Sequence, residues 1–260
     1  MLEENHNYAD VVGSPSVPYL NGLIAEGALA ANYFANAHPS LPNYLWLTVG
    51  EGLYTFDACP ETHSVDADNI VREMNAAGIS WKSYQESLPS VGFLSCNNGD
   101  TSTSYAAKHD PFVYFTDVTN DPAQQLNIVP FTQFAIDLAA GNLPQYSFIA
   151  PDEEDDAHDG SLAQMDAWLQ TNIDPLLQTP MFQPGGDGLL IIVFDESATD
   201  NTNGGGQVMW LGISPKFKSG FVSNVFHQHQ DTLRLMMEGL GLTTFPNGAA
   251  TASDMSEMFN

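Results

Sequence analysis

Residues 188–197, GLLIIVFDES, constrain this chain more than any other stretch. Six apolar residues from Leu189 to Phe194 run without alternation, the pattern of a strand covered on both faces. That is the situation of a central strand in a parallel sheet. The run ends abruptly in Asp195-Glu196. Two carboxylates at the end of a buried strand are costly unless they are paired or bind a cation. In open α/β sheets ligands lie beyond the carboxyl ends of the strands, so Asp195 and Glu196 fall on the functional edge.

The remaining elements support that architecture. VPYLNGLIAEG (17–27) has helical spacing and stops at glycine. NYLWLTVG (43–50) fits a helix or a strand equally well. VDADNIVREMNAAG (65–78) places Ile70, Val71, Met74 and Ala77 on one face and ends at Gly78. ISWKSYQES (79–87) reads as a strand, QFAIDLAAG as a helix stopped by Gly141, and QYSFIAP (145–151) as the next strand. Ser161 opens a helix, VMWLGISP (208–215) is another strand, and HQDTLRLMMEGLGL (229–242) is a late amphipathic helix. Strands alternating with helices predict a doubly wound α/β sheet in one domain over 1–260. The polar opening, Leu2-Glu3-Glu4-Asn5, predicts that the first strand is truncated here, with a longer strand and an export signal upstream.

Charge narrows the partners. The chain carries 32 Asp and Glu against 6 Lys and Arg, a formal net charge of −26. Such a surface repels nucleic acid and anionic membranes, which are bound through lysine and arginine. A phosphorylated substrate would be repelled too, unless a bound cation reverses the local field. No run of 18 apolar residues exists, so no stable membrane insertion is expected. Cys59 and Cys96 would suit one disulfide in an oxidising compartment, which points to a secreted or periplasmic protein.

Polar clusters fall at the predicted strand ends. LEENHNY supplies Glu3, Glu4, Asn5 and His6, and PDEEDDAHDG supplies Asp156 and His158. Further histidines are His38, His109, His227 and His229. Carboxylates with a carboxamide are hard oxygen ligands that suit Mg, Ca, Mn or Fe. On composition alone DEEDDAHD is a solvated acidic loop. It is no EF-hand, because Ala157 stands where that loop needs its sharp-turn glycine. Ser40, in HPSLPNYL, reads as either a helix cap or a nucleophile presented between two prolines.

Eight blocks in order, EENHNY, HPSLPNYL, GISWKSYQES, YAAKHDPFVYF, YSFIAPDEEDDAHD, IIVFDES, ISPKFKSG and HQDTLRLMMEGLGL, resemble the bacterial phosphoesterase family of acid phosphatases and phospholipases C. That family lies in the alkaline phosphatase superfamily. The resemblance implies a three-layer α/β/α sandwich with a mostly parallel central sheet, and a phosphoryl-enzyme intermediate formed beside a metal. It implies Ser40 as the nucleophile. Glu4, Asn5, Asp195 and Glu196, with the Ser40 oxygen, would hold one divalent cation. His158 and His109 would contact phosphate or serve the leaving group, and Asn43, His38 and Asp156 complete the substrate-contact candidates. Two positions depart from the family pattern: Asp155 and Asp110 each replace an Asn. Those loops are read as tuned to low pH or as binding a second cation.

Three functions fit these residues. The first is a phosphomonoesterase with an acidic optimum acting on a small phosphate ester. The second is a phospholipase C acting on a phospholipid head group. The third is a non-catalytic cation- or polysaccharide-binding surface protein. Hydrolysis of p-nitrophenyl phosphate against its choline diester, with and without divalent ions, separates them.

Overall fold

All five residues of Leu190–Phe194 form a strand and all are buried, as the apolar run demands. The computed structural model describes residues 1–96 and 105–260. Its ten strands among those residues are β1 (Leu2–Glu3), β2 (Ala28–Ala30), β3 (Tyr33–Phe34), β4 (Trp81–Gln85), β5 (Ile128–Pro130), β6 (Tyr146–Ala150), β7 (Leu190–Phe194), β8 (Trp210–Ile213), β9 (Phe221–Ser223) and β10 (His227–Gln228). The fold is α/β, and the chain divides into two compact units. The first comprises Met1–Asn36, Glu154–Gln228 and Met255–Asn260; the second comprises Ala37–Glu153 and His229–Asp254.

The first unit is built on a five-stranded sheet in the order β1-β7-β8-β2-β9. Leu2 and Glu3 pair in parallel with Val193 and Phe194, so a short strand does precede Glu4. The sheet is mixed, not mostly parallel as expected. β8 runs antiparallel to both β7 and β2, while β2 and β9 are parallel. The reason lies in residues 195–209, which contain turns and no helix. A parallel partner needs a crossover, usually helical, whereas a chain that turns back directly pairs antiparallel. Gly206 tightens that return: its φ is +81°, and a Cβ there would lie 2.2 Å from Ser197 Oγ. β3 and β10 form a separate parallel pair.

Two helices of this unit are stitched together by a buried acid. Ser161 caps Leu162–Asn172 by accepting the Gln164 amide at 3.2 Å. Asp166 of that helix accepts the amides of Tyr19 and Leu20 at 3.0 and 2.8 Å. Those amides belong to the first turn of Pro18–Glu26 and would otherwise lack acceptors.

The second unit carries a parallel three-stranded sheet in the order β5-β4-β6. Helix Ile70–Ala77 starts at Asn69, whose side chain accepts the Arg72 amide, and stops at Gly78 with φ +70°. Helix Thr132–Ala140 stops likewise at Gly141, with φ +67°. Aromatic rings fill the core: Phe112 stacks on Trp81 at 5.1 Å and meets Phe148 edge-on at 5.0 Å. Cys59 and Cys96 form a disulfide that closes a segment of 37 residues' separation. No helix among the described residues is long and apolar enough to cross a membrane.

Candidate functional site

In the first unit the acidic groups gather at the carboxyl ends of β1 and β7. Glu3, Glu4 and Asp195 are fully buried, and Glu196 nearly so. The backbone binds this cluster together. Asp195 donates its amide to the Glu3 carbonyl at 3.0 Å, continuing the β1–β7 ladder past its last residue. Asp195 Oδ1 accepts the Glu196 amide at 2.6 Å and the Asn5 amide at 3.4 Å. Asn5 is held at φ +48°, a left-handed conformation that asparagine tolerates better than most residues. Its Oδ1 is buried and meets no donor.

The loop after β6 joins the same cluster. Glu4 donates its amide to the Asp156 carbonyl at 2.9 Å, and a carboxylate oxygen of each lies within 4.8 Å of the other. Composition suggested a solvated loop here, but Asp156 and Ala157 are both buried. Ala157 sits at φ +75°, where an alanine costs roughly 1–2 kcal/mol. The glycine-like turn therefore exists, made by a residue that resists it. Gly160 lets the loop close: a Cβ there would lie 1.8 Å from the Glu154 carbonyl. His158 is half-buried, its amide bonded to Asp156 Oδ1 at 2.8 Å and its Nδ1 facing Asp159 Oδ1 at 2.8 Å.

This donor set fits a hard divalent cation. It offers carboxylates and an amide oxygen, several fully buried, and one of them, Asn5 Oδ1, lacks any hydrogen bond. The chain's basic side chains are too few to neutralise it. Of six Lys and Arg, Arg72 pairs with Asp117, Lys82 with Asp137, Lys108 with Glu153 and Arg234 with Glu238, and Lys218 donates to the Glu257 carbonyl.

In the second unit Ser40 is the first residue of helix Ser40–Trp46 and is buried. The cap position belongs to Pro39, so Ser40 is not a cap. Asn43, one turn on, is fully buried; it accepts the Ala37 amide at 3.0 Å and donates to the Ala37 carbonyl at 2.8 Å. Its carboxamide thus braces the loop that leads into Ser40. His38 is half-buried in that loop. His109 lies in the 3-10 turn Ala107–His109, buried, with its ring stacked on Tyr44 at 5.2 Å and 6°. Tyr44 is on the Ser40 helix, so the unit brings the serine's helix and this histidine together.

One group escaped the sequence reading. Asp57 Oδ1 accepts the amide of Leu41, the residue directly after Ser40, at 3.0 Å. Asp57 lies in an exposed stretch with no periodic pattern, two residues before the disulfide-bonded Cys59, and nothing in its local sequence marks it.

The chain is 36% identical over 205 residues to a phosphatidylinositol-3-phosphatase of Mycobacterium tuberculosis, covering 78% of this chain and 64% of that protein. It is 32% identical over 247 residues to an acid phosphatase of Aspergillus fumigatus, covering 92% of this chain and 53% of that one. The chain thus spans between half and two thirds of the length of these relatives. A Vibrio parahaemolyticus protein of the alkaline phosphatase superfamily shares the fold, with a TM-score of 0.64 at 13% identity, over 100% of this chain and 69% of that one. The Phosphoesterase family model matches residues 13–243, and the chain belongs to that family.

Proposed function

We propose that this chain is a metal-dependent phosphoric ester hydrolase of the acid phosphatase type, secreted or periplasmic, on the three-layer sandwich of the alkaline phosphatase superfamily. The observation that carries the proposal is the buried oxygen cluster of Glu4, Asn5, Asp195 and Glu196, a donor set that a divalent cation would stabilise in a protein this poor in lysine and arginine. Held by these four residues with the Ser40 oxygen, a divalent cation would neutralise phosphate charge and lower the pKa of the serine hydroxyl.

Ser40 Oγ, its proton given up to solvent water, attacks phosphorus in line with the leaving alcohol, forming the oxygen–phosphorus bond as the bond to the leaving oxygen breaks. Asn43, by bracing the preceding loop, fixes the direction of that attack. His158 or His109 donates a proton to the leaving oxygen, and His38 and Asp156 contribute to seating the substrate. Water then cleaves the phosphoserine and regenerates the hydroxyl. Phosphate binding to the Leu41 amide requires that it displace the Asp57 carboxylate.

The name of the M. tuberculosis relative favours a lipid monoester as a second substrate class over a phosphodiester. Assays with p-nitrophenyl phosphate, phosphatidylinositol 3-phosphate and a choline phosphodiester, before and after dialysis against a strong chelator, test the proposal. Monoester hydrolysis lost on chelation, together with a lower melting temperature, is expected. Unchanged rate and stability after complete metal removal would refute it.

A further inference from the structure

Asp110 puts a carboxyl group where the family's Lys-His-Asn-Pro pattern has a carboxamide. The side chain is fully buried. Ser83 Oγ donates to its Oδ1 at 3.1 Å, and Gln85 Nε2 donates to that same hydroxyl at 2.9 Å. Both partners stand on β4, so the chain Gln85–Ser83–Asp110 ties the turn carrying His109 to the sheet. Asp110 Oδ2 is buried and makes no hydrogen bond.

The titratable groups around it bring little relief. Tyr105 and Tyr114 lie close to it, and burial pushes both hydroxyls well above the usual tyrosine range, so both stay neutral. His109 precedes it in the chain, and Lys108 sends its Nζ to Glu153 at 3.5 Å. A carboxylate here would hold its charge in a dry site with one oxygen lacking a hydrogen bond, which costs far more than a neutral carboxyl does. Burial accordingly pushes Asp110 up to about 7, opposed only in part by hydrogen bonds from Ser83 and the Phe112 backbone.

We propose that Asp110 carries a proton in the working protein and serves as an uncharged positioning residue, pinning the His109 turn to β4 as a carboxamide would. A group whose pKa rises on folding stabilises most at low pH. Its contribution is complete below the ordinary carboxyl pKa of about 4 and is lost as pH rises through about 7. The protein is thereby fitted to acidic surroundings by a residue that need not touch substrate. The effect on turnover rests on the function proposed above, whereas the effect on stability does not.

The test compares the full chain with Asp110→Asn across pH. At about pH 4.5 the two should melt alike; at about pH 8 the variant should melt roughly 5 °C or more higher. The alkaline limit of p-nitrophenyl phosphate hydrolysis should move upward in the variant. Infrared difference spectra of the unaltered protein should show a protonated carboxyl band that fades near neutral pH and is missing in the variant. A melting difference that does not change with pH, or a variant less stable at about pH 8, would overturn the proposal. So would a variant that fails to fold, since a carboxamide should fill this place. Melting and infrared readouts stand whatever the chain hydrolyses, so this proposal and the catalytic one fail separately.

Discussion

The two units solve opposite problems. The acidic cluster of the first holds several buried carboxylates, a left-handed Asn5 and a left-handed Ala157, and the left-handed backbone of the latter two opposes folding. On the serine side of the second, Asn43 bonds Ala37, the Leu41 amide donates to Asp57, and Gln85, Ser83 and Asp110 form a chain. The first concentrates buried oxygen groups, the set assigned above to a divalent cation under the proposed function. The second packs the Ser40 helix against His109 through the stacked Tyr44 ring. Phosphoryl transfer relies on charge neutralisation and on positioning, the two properties that the proposed function requires.

The contrast can be broken experimentally, beginning with the largest effect. Under the proposed function, Ser40→Ala should reduce turnover by roughly 10³-fold or more while the melting temperature stays within a few degrees, as for a small side chain whose role is chemical. Reducing the Cys59–Cys96 disulfide should cost the second unit about 4 kcal/mol by the loop-closure relation for its 37-residue separation, read as a lowered denaturant midpoint. Asp195→Asn should weaken divalent-cation binding by at least about 10-fold in calorimetry and lessen the stabilisation that the cation confers. Asp57→Ala should lower KM for a phosphate monoester, since the Leu41 amide is released; an unchanged or raised KM would show that Asp57 does not compete with phosphate. Smallest of all, Ala157→Gly should raise stability by about 1 kcal/mol by removing left-handed strain. A loss of stability there would mean that the alanine methyl group packs well enough to outweigh its backbone.

Much of this was legible in the sequence because certain signals are local. Six apolar residues followed by two acids mark β7 and its acidic end, and Gly78, Gly141 and Ser161 mark helix ends where the structure has them. Other features depend on distant partners. An apolar run has no direction, so VMWLGISP could not reveal that β8 pairs antiparallel with β7. The strands β2, β3, β5, β9 and β10 hold two or three residues each, too few for a period to emerge. In the stretch NYLWLTVG only residues 43–46 are helical, continuing the helix that starts at Ser40, and the rest is turn. At Ala157 the residue type argued against the left-handed turn that tertiary contacts impose. Asp57 and Asp110 acquire their meaning only from what they touch.

The central claim is that Ser40 becomes phosphorylated during turnover. Acid quenching in the steady state with a phosphate monoester, followed by proteolysis and mass spectrometry, should place the phosphoryl group on the peptide containing Ser40, in a yield that disappears in Ser40→Ala. A phosphoryl group found on another residue, or none found on any while hydrolysis proceeds with slow dephosphorylation, would contradict it.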